Sequence, residues 1–347
     1  MRWLGIILSA VALVPVTGGC TSSAPGRSAR FEPVRFAMGE GPGRITVRGS
    51  LLRLLPNYRP VSGVESFLYG PDTGDPPLVR NPQGMTLLGQ ELLICDQGRS
   101  DVVAVDLVTG RARLWSDPNQ PPRCPIDITA STDRVFVADT QSDRVIVYTA
   151  GGDYLRQLAG PRGAGKPAAV LAHSGVLYVG NVADGSIHRW DIAQQAWLDD
   201  LRGARDGPQV GAPTGFAITG DNALLVADAL NAQVVRIPLD GGAWTRIGVP
   251  GRGPGQFVRP KQLAVTRGGL ICVSDGGRQS VQVFDPAGEF LMELTARDGW
   301  RGLTLPYGLL SGIDLPTPAA GHGGEWMIVT DLLGDPTVLA LAIEETP

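Results

Sequence analysis

Gly251-Arg252-Gly253-Pro254-Gly255-Gln256-Phe257-Val258-Arg259-Pro260 opens a unit that decides the fold. The unit continues through Leu270-Ile271-Cys272-Val273-Ser274-Asp275, then Ser280-Val281-Gln282-Val283-Phe284, then Gly288-Glu289-Phe290. It reads as short β-rich runs punctuated by Gly, Pro and Asp, the pattern of brief strands joined by tight turns. Outward from Pro260 the same Pro recurs at Pro82, Pro125, Pro167, Pro213 and Pro306, in steps of 43, 42, 46, 47 and 46. Each is followed by an acid or amide: Asp96, Asp139, Asn181, Asp228, Asp275 and Asp331, at offsets of 14, 14, 14, 15, 15 and 25. Beyond each of these lies a further apolar run: Val102 to Val105, Val145 to Tyr148, Ile187 to Trp190, Val234 to Ile237, Val281 to Phe284 and Val338 to Leu341.

Four short strands per roughly 45 residues, repeated, is the arithmetic of a propeller blade. One four-stranded blade has two apolar faces and cannot bury them alone, whereas a ring of blades buries both. Six repeats therefore predict an all-β, six-bladed β-propeller. The last unit ends one strand short. Val64-Glu65-Ser66-Phe67-Leu68-Tyr69-Gly70 is similar to Asp153-Tyr154-Leu155-Arg156-Gln157-Leu158, an outer strand, and is expected to complete the sixth blade from the N-terminal side. That closure leaves no open ring edge.

On these residues the chain resembles NHL-repeat propellers, over 64 to 343. The unit from Gly251 to Phe290 and that from Pro125 to Leu158 carry the resemblance. It implies fold far more than function, because the architecture hosts enzymes, receptors and scaffolds alike. Some NHL-like propellers are lyases with metal and His at the channel, and lactonase propellers use calcium held by acidic and amide oxygens. Here no His stands at a Pro loop.

Composition bounds the rest. The chain has 347 residues, 43% hydrophobic and 18% charged, with 47 Gly and 28 Pro, which suits many tight turns. Net charge is -4, which gives no bulk electrostatic case for nucleic acid. Arg2 followed by the apolar run Leu4 to Val16 reads as a signal peptide, too short to span a bilayer. Thr17-Gly18-Gly19-Cys20 resembles a lipoprotein cleavage site, with lipid carried on Cys20. The organisation expected is a signal peptide at 1–19, a flexible tether at 20–30, an N-terminal extension on the ring at 31–60 and the propeller at 61–347. The product is exported and lipid-anchored, to the outer (or cytoplasmic) membrane, as a monomer. Three further thiols remain. Cys95 and Cys272 read as buried structural residues, and Cys124, in a loop, as the candidate reactive thiol.

A residue that recurs in every blade is structural. The Asp series is thus read as turn acceptors, and function is sought where the repeat breaks. Two places past each Pro stand Gly84, Asp127, Ala169, Gly215, Gln262 and Gly308, so Asp127 and Gln262 depart from a small-residue rule. Lys166 and Lys261, the sole lysines, flank two of the prolines, as do Arg259 and Tyr307. Arg123, Asp127, Lys166, Arg259, Lys261, Gln262 and Tyr307 are expected to line a polar, locally basic channel mouth. The reading is a non-catalytic binding or scaffold lipoprotein presenting loop faces to a protein, peptide or glycan, without cofactor, metal or catalytic residue. The alternative is a metal-dependent, lactonase-like hydrolase or lyase. His173, His188 and His322 fall at unrelated blade positions and form no ligand motif. The extra segment Ser311 to Glu325 is expected to project opposite the Pro loops.

Overall fold

A computed structural model describes residues 44–50, 79–161, 165–203, 205–295, 303–314, 325–333 and 338–344, with backbone alone at 44–50 and 342–344. These residues form six four-stranded antiparallel sheets and one two-residue parallel ribbon. Blade one comprises Pro82–Leu88, Glu91–Asp96, Asp101–Asp106 and Ala112–Leu114. Blade two comprises Pro125–Ala130, Arg134–Asp139, Arg144–Thr149 and Tyr154–Ala159. Blade three has Pro167–His173, Val176–Asn181, Ile187–Asp191 and Ala196–Leu201. Blade four has Pro213–Ile218, Ala223–Asp228, Gln233–Pro238 and Thr245–Ile247. Blade five has Pro260–Val265, Ile271–Asp275, Ser280–Phe284 and Phe290–Leu294. Each of the six prolines opens an innermost strand. The innermost strands pack in cyclic order, and Pro306–Ile313 returns against Pro82–Leu88.

Blade six is built from Pro306–Ile313, Glu325–Asp331, Val338–Glu344 and, outermost, Arg44–Ser50. An N-terminal strand does complete the ring, but it is Arg44–Ser50, antiparallel to Val338–Glu344 with Arg44 opposite Glu344. The expected Val64–Gly70 lies outside the described residues, as do the signal segment, Cys20, the tether, His322 and residues 315–324. Outer strands are half-solvated, so neither candidate carried a distinguishing apolar signal. Among the described residues no helix is long and apolar enough to cross a membrane.

The core is six wedges rather than one. In Glu91–Asp96, Leu92 and Ile94 face blade six, where they meet Trp326 and Ile328, while Leu93 and Cys95 face blade two, meeting Val135 and Val137. Alternate side chains of one strand serve opposite neighbours, which is why second strands read as unbroken apolar runs. The loop Gly251 to Pro260 is held by burial as well. Phe257 is fully buried between blades four and five, its ring 5.5 Å from that of Phe284. Buried Gln282 clamps the loop, accepting from Gly255 N–H (3.0 Å) and donating to the Gln256 carbonyl (2.8 Å).

Cys95 and Cys272 are buried and unpaired, as their small or apolar slots suggest. Burial pushes both thiols up, that of Cys272 to about 12. The flanks of the extra segment are pinned to blade five. Glu325 accepts from Arg267 N–H and Gly312 N–H, and the Arg267 guanidinium reaches Asp314.

Candidate functional site

The Asp series builds the loop face around the axis. Each member ends its blade's second strand, and each carboxylate accepts the backbone N–H groups of the two residues before the Pro. Asp275 takes Val258 (2.7 Å) and Arg259 (2.9 Å), then Gly277 (2.9 Å) and Arg278 (3.1 Å) in its own turn. Asp96 does the same with Arg80, Asn81 and Gly98, and Asp139 with Arg123 and Cys124. Asp228 takes Gly211 and Ala212, and Asp331 takes Thr304 and Leu305. These carboxylates are turn acceptors, and their oxygens are occupied. Asn181 can offer only one oxygen, to Lys166 N–H (2.8 Å) and Ala183 N–H (3.1 Å).

At the axis the candidate residues separate into two groups. Asp127 and Gln262 are only 4% and 5% exposed, and both line the axial cavity. They come from opposite blades, and Gln262 helps to hold the Asp127 carboxylate charge. Asp127 also accepts from Val170 N–H at 2.9 Å. Room for them comes from the glycines that hold the same position elsewhere. A Cβ on Gly84 would stand 2.2 Å from Asp127 Oδ1, and one on Gly215 would stand 2.6 Å from Gln262 Oε1. The small-residue rule and its two exceptions are one packing solution: glycines vacate the waist and two long polar side chains fill it. Around the axis the innermost strands enclose a cavity of ≈ 220 Å³, lined by Asp127 and Gln262 themselves, by Thr86, Thr129 and Ser311, and by apolar residues.

Burial pushes the Asp127 carboxyl up to about 7, against the opposing pull of the Val170, Ile128 and Gln262 hydrogen bonds. Tyr307 is likewise buried, its phenol pushed upward by burial first and by Asp127 next. Lys261 is half-buried with Nζ 5.5 Å from the Tyr307 ring centroid. Burial and neighbouring Arg259 lower its ammonium. The plug thus holds an acid that titrates near neutrality but no metal-binding constellation. Among the described residues no group of three or more His, Cys, Asp or Glu could hold a metal ion.

Arg123, Lys166 and Arg259 form the outer group, exposed on the loop face. Lys166 is committed to Asp143 at 2.5 Å. Arg123 lines a cleft of ≈ 580 Å³ with Ser100, Asn119, Gln120, Gln141 and Arg144, and no carboxylate lines it. Arg144 is anchored there by Asp139 (3.2 Å) and Gln157 (2.8 Å). Leu230 and Leu333, 72% and 71% exposed, lie in the equivalent turns of blades four and six, two residues past Asp228 and Asp331. Neither leucine, nor the cleft itself, was found by the sequence reading, because both depend on which loops stand side by side. Cys124 is half-buried and accepts from Gln97 Nε2 at 3.2 Å. Burial and Asp139 raise its thiol, which disfavours the nucleophilic thiolate. His173 is half-buried and bonds Asn222, while His188 is buried within blade three.

The chain matches no protein-family model and no curated protein sequence. Solved structures do share its shape. A structural-genomics protein of unknown function from Bacteroides thetaiotaomicron is similar over 78% of this chain and 71% of its own, at 16% identity and TM-score 0.60. A catalytically inactive His-to-Ala variant of virginiamycin B lyase from Staphylococcus aureus, with quinupristin, is similar over 78% and 96%, at 12% identity and TM-score 0.52. A chain of a nidogen/laminin complex is similar over 66% and 84%, at 16% identity and TM-score 0.54. At such identities the likeness shows the six-bladed propeller alone. An enzyme and a member of a protein complex stand side by side on one fold.

Proposed function

We propose that the protein is a binding or scaffold propeller of the cell envelope, held by lipid on Cys20, whose loop face takes an anionic segment of a protein, peptide or glycan. One observation carries the reading: the cleft between blades one and two offers the Arg123 guanidinium without an acidic partner among the described residues, beside Arg144 and three side-chain amides. Arg suits this task through planar, charge-assisted hydrogen bonds to carboxylate or sulfate. Exposed Leu230 and Leu333 add apolar contact on the same face. The NHL resemblance and lipoprotein reading belong to this proposal.

A lyase-like channel has less support. In the virginiamycin B lyase structure a His-to-Ala change accompanies inactivity. In this chain neither His173 nor His188 lines the axial cavity.

Arg123→Glu tests the proposal. With a labelled poly-glutamate peptide and a uronic-acid oligosaccharide as probes at low salt, wild type should bind at least one. The variant should bind it roughly tenfold to a hundredfold more weakly, the loss of one charge-assisted contact. Equal affinity of both proteins, or no binding of either probe, would count against an anion-binding cleft.

A further inference from the structure

Ser186, His188 and Asp200 make a connected relay that neither the channel nor the cleft uses. His188 Nδ1 stands 2.7 Å from Asp200 Oδ1, and His188 Nε2 stands 3.1 Å from Ser186 Oγ. Three local features bring them together. The turn Asn181–Ser186 is fixed by Asp184, whose Oδ1 accepts Ser186 N–H at 3.0 Å. The strand Ile187–Asp191 then points His188 towards blade two. Between Ile187 and Arg189 the pairing with the outer strand shifts register, which brings Asp200 beside the imidazole. The ring is held in place, with side-chain exposure of 6% and a Trp197 edge contact at 5.9 Å between centroids.

A carboxylate at Nδ1 makes that nitrogen the N–H donor of neutral imidazole, which leaves the Nε2 lone pair facing the hydroxyl. This is the arrangement by which a general base activates a serine. Ser186 is half-exposed, so an electrophile can reach it. His188 also lines a cavity of ≈ 20 Å³ between blades two and three, shared with Asn181 and Arg144.

We propose that Ser186 is a nucleophile activated by His188, with Asp200 as positioning residue, and that this site hydrolyses activated esters. In the first step Ser186 Oγ bonds the acyl carbon and its proton passes to His188 Nε2. The alcohol oxygen then leaves and takes that proton. Water next attacks the acyl-serine, giving a proton to Nε2. Ser186 Oγ leaves the acyl carbon and recovers that proton, so ester and water become acid and alcohol. Asp184 Oδ1, 2.6 Å from Ser186 Oγ, is a competing acceptor for the same proton.

Purified wild type is treated with a fluorophosphonate probe, and the adduct is located by peptide mass spectrometry. p-Nitrophenyl acetate and p-nitrophenyl octanoate hydrolysis are followed in parallel. Adduct on Ser186, with hydrolysis of at least one of the two esters, is the expected result. Ser186→Ala should abolish the adduct. Asp200→Asn, which keeps size and hydrogen bonding but not charge, should slow labelling by about 10²–10⁴-fold with an unchanged melting temperature. No adduct on Ser186 in wild type would overturn the proposal. Undiminished labelling in folded Asp200→Asn would do the same, as would a larger loss in Asp184→Ala than in Asp200→Asn. A purely structural hydrogen-bond network would change melting temperature in these variants and never give an adduct.

Discussion

Asp275→Ala should lower the unfolding free energy by about 3–5 kcal/mol, read as a lower denaturant midpoint at unchanged slope. Four backbone N–H groups lose their acceptor together, at 2.7 to 3.1 Å in the native protein. Hydrogen bonds to a charged acceptor are worth about 1.5–3 kcal/mol each, and water reaching the half-exposed loop returns part of that sum. A loss under about 1 kcal/mol would show that the loops hold without the carboxylate. Blade three supplies the reverse experiment. Asn181 gives one oxygen where its counterparts give two, so Asn181→Asp should stabilise by on the order of 1 kcal/mol through a second accepted N–H. A destabilised Asn181→Asp would mean that the third blade has adapted to the amide.

Asp127→Asn should make the protein more stable at pH 8 and change little at pH 4. The folded carboxyl titrates at about 7, against 3.8 for an unperturbed one, with burial as the first cause. Between those values the folded state holds a proton that the unfolded state has released. Stability from this group is therefore complete below pH ~4 and lost as pH rises through ~7. At 1.36 kcal/mol per unit the loss is roughly 4 kcal/mol at pH 8. Asn keeps the acceptor for Val170 N–H and can donate to Gln262, as the protonated acid does. Denaturation curves of both proteins at pH 4.5 and pH 8 decide the matter. Parallel shifts at the two pH values would mean that Asp127 is ionised throughout.

The blade count was legible because Pro and Asp recur for reasons internal to each blade: one opens a strand, the other ties two loops. Asp127 and Gln262 were legible as exceptions among glycines. Their role was not, because whether a side chain reaches solvent or the opposite blade depends on the width of the ring, which no single repeat encodes. The turn after each Asp hides another regularity. Ser100, Asp143, Gly185, Ala232 and Gln279 all stand at positive φ, four residues past their Asp or Asn. Only Gly185 announces it by residue type. Ser186, His188 and Asp200 were invisible as a set for a related reason, since Asp200 comes from the next strand and is aligned by a register shift.

The strand Arg44–Ser50 is also a mechanical part. Its six paired positions run from Arg44 opposite Glu344 to Ser50 opposite Leu339. Tension arriving from the N-terminal side acts along that strand, loading its rungs in shear, together rather than one after another. A pull from that direction is therefore met by the whole clasp before any other blade feels it.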